Sequence, residues 1–227
     1  MKGELYVVST PIGNLEDITF RAVNILKKVD LIAVEDTRVS TRLLNKYGIK
    51  NNLITFHIQN ENSKIDYIMG FLLSGKKIAI ISDAGTPCIS DPGYLLVNKC
   101  RDLGINVFSI PGPSSLTASL SISGLPSERF FFEGFLPKKK GRLSRLNYLS
   151  NLDVSVVLFE SPHRLLKTLN DIMHNMGDRY ISICKEITKI NETNYYNKLS
   201  SLIDEFSNQE KIKGEFVVVI AKEGYNE

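Results

Sequence analysis

The feature that most constrains the fold is an alternation of two hydrophobic periods along the first half of the chain. Five short runs rich in β-branched residues are apolar on both faces, as buried parallel strands are: "ELYVVST", "DLIAVE", "NLITF", "KIAIIS" and "INVFSI". Between them apolar residues recur at helical spacing, as at Ile18, Ala22, Ile25 and Val29. Alternation of this kind predicts right-handed crossovers and a parallel sheet covered by helices on both faces. The first part of the chain is therefore predicted to be an α/β domain.

The pattern changes after "IPGPSS", where Pro111 and Pro113 stiffen the connection. Beyond this point we predict a small-residue helix in "SLTASLSIS", capped by Ser114. Four strands follow, with two helices between them: "ERFFFEGFLP", "VSVVLFES", "YISICKEIT" and "GEFVVVIAK". These strands fit a mixed or antiparallel sheet. We therefore predict an N-terminal α/β domain over residues 1–112 and a C-terminal α/β domain over residues 113–227.

Composition limits the classes of function. Lys and Arg number 28 and Asp and Glu 25, so the net charge of +3 does not by itself indicate nucleic acid, and any basic surface must be local. The three cysteines are widely spaced and suggest neither a metal site nor a disulfide framework, which fits a reducing compartment. We see neither the apolar region of a signal peptide nor a membrane-spanning stretch. These features predict a soluble cytoplasmic protein that makes no membrane contact.

Three loops that leave predicted strands are rich in Gly or Pro beside Ser or Thr: "STPIGNLED", "SDAGTPCISDPG" and "PGPSS". Such loops let backbone N–H groups approach a ligand closely. A single loop of this kind is more typical of turn chemistry, but three at the carboxyl edge of one parallel sheet favour a ligand cleft. Neither the dinucleotide motif G-x-G-x-x-G nor the phosphate-binding motif G-x-x-x-x-G-K-[ST] occurs, so phosphate cradling is not the evident task.

A basic run, "FLPKKKGRLSRL", contains no acidic residue. It contributes Lys138, Lys139, Lys140, Arg142 and Arg145. Such a run is usually a solvated surface, but beside a ligand cleft it becomes a plausible contact to a phosphate backbone.

A second group of charges follows the second predicted strand. Arg38 and Arg42 have helical i, i+4 spacing and could extend the basic surface. Glu35 and Asp36 precede them, and either cap the N-terminus of a helix or act as acid and base. No G-x-S-x-G motif accompanies the histidines; we interpret His174 as structural and leave His57 and His163 open.

Taken together, several stretches closely resemble the ribosomal RNA small subunit methyltransferase I family of the tetrapyrrole-methylase superfamily. They span Leu5 to Ile220 in the family's order and include "STPIGNLED", "ISDAGTPCISDPG", "IPGPSSLTASLSISGLP", "FEGFLP", "ESPHRL", "CKEITK" and "KGEFVVVI". The resemblance implies S-adenosylmethionine-dependent methylation of a cytidine ribose 2′-hydroxyl in 16S ribosomal RNA near the decoding centre, on RNA or on the small ribosomal subunit.

The resemblance also implies the fold and the cofactor site. It predicts a two-domain tetrapyrrole-methylase-like fold, with the methyl donor in a cleft between the domains and no metal. S-adenosylmethionine has no phosphate, and its carboxylate needs backbone N–H donors, which agrees with the loops. The implied cofactor-binding residues are Pro11, Ile12, Asp83, Ala84, Gly85, Thr86, Ile89, Pro111, Gly112, Ser114, Ser115, Glu160 and Ile187.

In such a reaction the ribose oxygen attacks the sulfonium methyl group, and a general base would help by ~10²–10⁴-fold. The acids in matching motifs are Glu35, Asp36 and Glu186, of which we choose Asp36 as the base. The RNA surface is predicted to combine the basic run with Arg38, Arg42 and Arg164. We also expect a homodimer, since two-domain members of the superfamily generally pair and closed two-fold dimers are the commonest oligomers.

The sequence departs from the family pattern at two points. It ends at Glu227, where many members continue into a small helical domain, so we expect no RNA contacts from such a domain. Lys185 stands where the family pattern has arginine, which keeps the charge and removes the bidentate fork.

Two alternatives stay open. One is a methyltransferase of the same fold that acts on a tetrapyrrole or on a modified protein side chain; the basic run argues against it. The other is a non-catalytic RNA-binding module, against which the three ligand-binding loops argue.

Overall fold

The computed structural model describes residues 1–226, and the chain divides into two compact units, Met1–Ser114 and Ser115–Glu227. The sequence placed the domain boundary between residues 112 and 113, in the same Pro-rich connection.

The first unit is built on a parallel sheet whose strand order is β3-β2-β4-β1-β5. Its strands are β1 Glu4–Val8, β2 Leu31–Val34, β3 Leu53–Thr55, β4 Lys77–Ile81 and β5 Asn106–Ile110. A short 3-10 helix, Leu15–Asp17, follows β1, and the helices are α1 Phe20–Lys28, α2 Thr37–Lys46, α3 Glu61–Leu73 and α4 Tyr94–Asp102. All strand pairs in this sheet are parallel, which confirms the predicted α/β class.

Apolar side chains cover this sheet on both faces. Ala22 and Leu26 of α1 pack on one face, and Ile68 and Leu72 of α3 on the other. Strand β5 differs from the prediction of a run that is apolar and buried on both faces: only Ile110 is buried, and Phe108 is 40% exposed. The reason is its place at the end of the strand order, where a strand has a neighbour on one side only.

The second unit contains a mixed sheet with the order β6-β7-β10-β8-β9. Its strands are β6 Phe130–Phe135, β7 Ser155–Glu160, β8 Tyr180–Lys185, β9 Thr193–Lys198 and β10 Phe216–Ile220. The β6–β7 pair is parallel and the other pairs are antiparallel, as the prediction of a mixed sheet requires. Its helices are α5 Ser115–Ile122, α6 Arg142–Ser150, α7 Leu165–Met176 and α8 Leu199–Ser207.

Two sequence predictions for this unit were incomplete. Three helices, α6, α7 and α8, lie between its strands within residues 1–226, where the sequence predicted two. Strand β9 was missed because "TNYYNK" is polar: it is an edge strand whose side chains are largely exposed, so it carries no buried apolar pattern. Over the same described residues, no helix is both long and apolar enough to cross a bilayer.

Candidate active site at the carboxyl ends of the parallel strands

The three loops singled out in the sequence meet at one edge of the first unit's sheet. Thr10, after β1, and Gly85, after β4, exchange backbone hydrogen bonds: each N–H donates to the other's carbonyl, at 2.8 and 3.1 Å. The hydroxyl oxygens of Ser9 and Thr86 lie 2.8 Å apart, and Thr86 Oγ1 donates to the Pro113 carbonyl at 3.2 Å. The loops after β1, β4 and β5 are thus bonded into one assembly, because parallel strands bring their carboxyl ends to the same edge.

Two glycines make this close assembly possible. Gly85 has φ +87°, a conformation that side-chain-bearing residues rarely adopt, and a Cβ there would lie 3.4 Å from Ile12 Cγ2. A Cβ on Gly112 would lie 3.0 Å from Ser9 Cβ. A side chain at either position would crowd the β1 loop, so the close approach of the loops depends on both glycines.

The remaining predicted cofactor residues of the first unit belong to the same loops. Pro11 and Ile12 follow β1, and Ile89, in the β4 loop, is 45% exposed. Asp83, Ala84, Pro111 and Ser114 complete the set. Ser115 begins α5 and so falls in the second unit.

Backbone strain is concentrated in two loops. Within residues 1–226, the non-glycine residues with positive φ are Cys88 (70°), Ser90 (63°), Glu186 (53°) and Thr188 (67°). The first two lie in the β4 loop, and the other two flank Ile187 after β8. Such conformations persist only where the surroundings fix them, and they occur preferentially at functional sites. Both loops contain residues that the sequence predicts for the site, such as Ile89 and Ile187.

The acids after β2 and β4 form a group. Asp36 N–H donates to Asp83 Oδ1 at 3.0 Å, and the charge of Asp83 acts on Glu35. Burial, and then the charge of Asp83, raise the pKa of Glu35, and burial likewise raises the pKa of Asp83. Burial and the charges of Glu35 and Asp83 raise the pKa of Asp91 to about 6.

Asp91 was missed as a titrating residue. It lies in the "SDPG" segment of a loop that the sequence analysis assigned to ligand binding, but loop composition does not show which carboxylates become buried.

The carboxylate of Asp36, the residue that the sequence predicts as the general base, is bound by Arg38. It accepts the Arg38 N–H at 2.8 Å, which caps α2, and pairs with the Arg38 guanidinium at 2.6 Å. These bonds from Arg38 lower the pKa of Asp36 to about 2, so it is a weak proton acceptor. The structure thus favours the capping interpretation of this residue.

The carboxylate of Glu186, in the second unit, also has hydrogen-bond partners. It accepts from Lys189 Nζ and from Glu215 N–H, each at 2.9 Å. The bond from Lys189 is the main cause that lowers the pKa of Glu186. Ile187 beside it is buried.

Glu160, at the end of β7, belongs to a buried polar network of the second unit. Its oxygens accept from Ser161 N–H at 2.8 Å and from Thr168 Oγ1 at 2.6 Å, and Arg164 Nε lies 3.5 Å away. Thr168 Oγ1 also accepts from Arg142 Nη2 at 2.8 Å. Buried polar groups satisfied in this way fix the local structure.

The same network anchors the basic run. Arg142 is 6% exposed, pairs with Asp171 at 2.7 Å and donates to the Pro137 carbonyl at 3.2 Å. Arg164 donates to the Leu136 carbonyl at 2.7 Å. The prediction that Arg142 contacts RNA is therefore corrected: its guanidinium is enclosed by the unit's own acceptors.

The other basic residues of the run differ in their exposure and in their partners. Arg145 Nε donates to Glu133 at 2.7 Å, and its guanidinium lies 4.7 Å from the ring centre of Tyr148. The side chains of Lys138, Lys139 and Lys140 are exposed. The sequence showed no acid within the run; the fold brings Glu133 and Asp171 to it from neighbouring elements.

The arginines after β2 are both exposed at α2, Arg38 with its Asp36 partner and Arg42 one turn further on. His57 lies between β3 and α3, and His163 directly before α7. No group of three or more His, Cys, Asp or Glu residues that could hold a metal ion occurs in residues 1–226.

Comparison with known proteins places this geometry in a class. A family model described as Tetrapyrrole (Corrin/Porphyrin) Methylases matches residues 4–203. Uroporphyrin-III-C-methyltransferase from Thermus thermophilus has a similar fold, with a TM-score of 0.66 at 16% identity over 97% of this chain and 95% of that one. A cobalt precorrin-4 methyltransferase gives 0.69 at 16% identity, over 96% and 94%. The chain is thus a protein of the tetrapyrrole-methylase class.

Comparison with curated relatives identifies the family within this class to which the chain belongs. The ribosomal RNA small subunit methyltransferase I of Thermotoga maritima is 48% identical over 219 residues, 96% of this chain and 98% of the relative. That of Escherichia coli O157:H7 is 45% identical over 222 residues, 96% of this chain and 78% of the relative. The chain belongs to the ribosomal RNA small subunit methyltransferase I family, as its motifs suggested.

Proposed function

We propose that this protein transfers a methyl group from S-adenosylmethionine to the ribose 2′-hydroxyl of a cytidine in 16S ribosomal RNA. Methyltransferase chemistry and the methyl donor follow from the family, and the RNA substrate from the names of the relatives. The observation that carries the proposal is the bonded assembly of three loops at the carboxyl edge of the parallel sheet.

The loop residues fit this cofactor. At Gly112 the backbone is exposed, and peptide N–H groups suit a carboxylate, whereas no phosphate-binding motif is present. The methyl donor would be held by Pro11, Ile12, Asp83, Ala84, Gly85, Thr86, Ile89, Pro111, Gly112 and Ser114. Ser115, Glu160 and Ile187 stay predicted contacts. When bound, the cofactor supplies an electrophilic methyl group, so the chain need supply only alignment and a proton acceptor.

We assign the proton acceptor to Glu35. A carboxylate with a raised pKa is a better base near neutral pH than one held fully ionised. Burial and Asp83 raise the pKa of Glu35, whereas Arg38 and Lys189 lower those of Asp36 and Glu186. Asp36 instead caps α2 and so positions that helix.

Lys138, Lys139 and Lys140 would contact the phosphate backbone, with Arg42 as a further contact. Arg142 and Arg164 hold the carbonyls of the segment that carries the lysines, so they position the contact. We further infer that the protein acts in the cytoplasm, which fits its ribosomal substrate and its free cysteines, and that it acts as a homodimer.

The test is to incubate the protein with labelled S-adenosylmethionine and either free 16S RNA or small subunits, and then to map the label. We expect ribose methylation at a single cytidine, and no methylation when that nucleotide is the 2′-deoxy form, since the 2′-hydroxyl is the acceptor. Label on a base or on a ribosomal protein would refute this proposal and would identify a different methyl acceptor. Cofactor binding with no transfer to either substrate would favour the non-catalytic module.

A further inference from the structure

Three aromatic rings pack together on one face of the second unit's sheet. Phe132 and Phe135 of β6 both lie against Phe159 of β7, with 5.0 and 5.7 Å between ring centres. Strict alternation along a strand would place residues three apart on opposite faces, but the register of β6 shifts between Phe132 and Gly134. This bulge therefore turns Phe135 to the same face as Phe132.

The aromatic face lies opposite the face that helices α6, α7 and α8 cover. The core that these helices form includes Val156 and Leu158 of β7, whereas Phe159 does not belong to it. Phe132 and Phe159 are partly buried, but Phe135 is 56% exposed. Its strand is the last in the sheet order, so the ring lies at an edge of the sheet. One ring is thus presented to solvent while its neighbour holds it in place.

The backbone that follows this ring is anchored as well. Leu136 is 2% exposed, and its carbonyl accepts from Arg164 at 2.7 Å. The next carbonyl, of Pro137, accepts from Arg142 at 3.2 Å. A ring and a backbone that are fixed before binding lose little conformational freedom when a ligand docks.

The charge next to the ring is not neutralised by the chain itself. Glu133, the acid nearest in the sequence, is paired with Arg145. At most about 11 Å of chain separates Phe135 from the first lysine of the basic run, so the ring and the ammonium groups can reach one ligand. The three lysines are exposed and form no ion pair within residues 1–226: Lys138, Lys139 and Lys140.

This combination fits an unpaired RNA strand. Proteins that bind single-stranded nucleic acid combine a positively charged surface, which follows the phosphates, with exposed aromatic rings on which bases stack. An apolar protein segment would cover the ring but would leave the lysines without counter-charges, whereas one RNA strand supplies both a base and phosphates. Bases within a duplex are stacked on one another, so their faces are not available to a side chain.

We propose that Phe135 stacks on an unpaired base of the RNA while Lys138, Lys139 and Lys140 contact phosphates of the same strand. The inference rests on the proposed RNA methylation. It adds the form of the substrate, an RNA segment that is single-stranded where it meets the second unit.

The first test measures binding of an unstructured single-stranded RNA oligonucleotide. Loss of one stack should weaken binding roughly 5- to 150-fold in Phe135→Ala, whereas Phe135→Tyr should keep the wild-type affinity. A stacked ring releases no counterions, so the slope of log K against log salt should stay unchanged in Phe135→Ala. The matched control is Phe130→Ala, because Phe130 is 41% exposed at the other end of the same strand. Both alanine variants should bind S-adenosylmethionine like wild type by calorimetry, which also reports folding.

The second test uses the fact that the sequence contains no tryptophan. Phe135→Trp introduces a single indole, whose fluorescence should be quenched when the single strand binds, since a base then stacks on it. The same strand annealed to its complement should quench it much less. Phe130→Trp is the control and should respond to neither form of the RNA.

Wild-type affinity in Phe135→Ala, or equal quenching of Phe135→Trp by the duplex, would refute the stacking role. Quenching by S-adenosylmethionine alone would assign the ring to the cofactor, and a changed mass in light scattering with unchanged RNA affinity would assign it to a contact between two copies. Either result overturns the inference. If wild type binds the strand through Phe135 yet methylates no small-subunit RNA, the proposed function alone fails. If wild type binds no RNA, both fail.

Discussion

At the scale of single residues, the environment of a carboxylate decides what it can do. Glu35 and Asp36 are adjacent in the sequence, yet their pKa values shift in opposite directions. Glu35 is partly buried beside Asp83, whereas Asp36 is bound by the backbone and the guanidinium of Arg38. Neighbours that shift in this way are suited to separate tasks, one to accept a proton and one to cap a helix.

Replacement of Glu35 by Gln should therefore lower kcat by ~10²–10⁴-fold and leave cofactor binding unchanged. Because the base must be ionised, kcat/KM in wild type should fall on acidification through the pKa of Glu35, which lies above the usual carboxyl value, and this acidic limb should be lost in the variant. Steady-state rates measured across pH check both points.

Asp36→Asn is the matched control, since asparagine still caps a helix. Its effect on kcat should be small. A larger loss of kcat in Asp36→Asn than in Glu35→Gln would identify Asp36 as the general base instead of Glu35.

Gly85 offers a second test at this scale. Gly85→Leu combines an unfavourable φ with a side chain directed at Ile12, so S-adenosylmethionine binding should be lost in calorimetry. Gly48→Leu is the control for the effect of φ alone, because Gly48 has φ +60° but nothing lies within 4 Å of an added Cβ. Full cofactor affinity in Gly85→Leu would remove the β4 loop from the cofactor site.

At the scale of elements, the segment between β6 and α6 combines a backbone held by hydrogen bonds with exposed charged side chains. Arg142 and Arg164 bind the carbonyls of Pro137 and Leu136, and their network continues through Thr168 to Glu160 on β7. The lysines that follow are exposed. An anchored segment presents charge at lower entropic cost than a free loop, which suits a phosphate contact.

Simultaneous replacement of Lys138, Lys139 and Lys140 by alanine should weaken RNA binding and spare the cofactor. Each phosphate contact contributes roughly 0.7–0.9 to the slope of log K against log salt, so the loss of three contacts should flatten the slope by about 2 to 3. Binding titrations at several salt concentrations measure it. The charge-matched control replaces Lys27, Lys28 and Lys50, which are also exposed. An equal change in both triple variants would mean that net charge, not this segment, attracts the RNA.

At the scale of the whole molecule, the net charge of +3 is too small to attract RNA by its overall field, so attraction must come from local clusters. The edge strand β5 leaves Phe108 40% exposed, stacked on Tyr6 with 5.5 Å between ring centres. Exposed apolar edge strands are commonly covered by another chain or otherwise protected. This exposure is consistent with the proposed homodimer.

Light scattering at micromolar concentration should accordingly give twice the mass of the 227-residue chain. A dilution series adds a second criterion, because a reversible dimer loses mass on dilution whereas a monomer does not. A single-chain mass at every concentration, with full methylation activity, would show that one copy suffices.

The sequence by itself determined the class of fold and the set of loops that meet at the carboxyl edge of the parallel sheet. Short buried runs alternating with helical periods permit few topologies, and a parallel sheet brings the ends of its strands together, so the loops containing Ser9, Gly85 and Pro113 had to meet. Family motifs then supplied the chemistry, since they lie in those same loops.

Only the tertiary structure decided which charged and polar side chains are available. Arg142 meets Asp171 and Thr168, and Asp91 meets the charge of Glu35, although these partners are far apart in the chain. Ser40 is buried, and its hydroxyl has no hydrogen-bond partner among residues 1–226. Burial and pairing depend on neighbours that packing supplies, so local sequence does not encode them. The proposed proton acceptor and the proposed RNA contacts both rest on them.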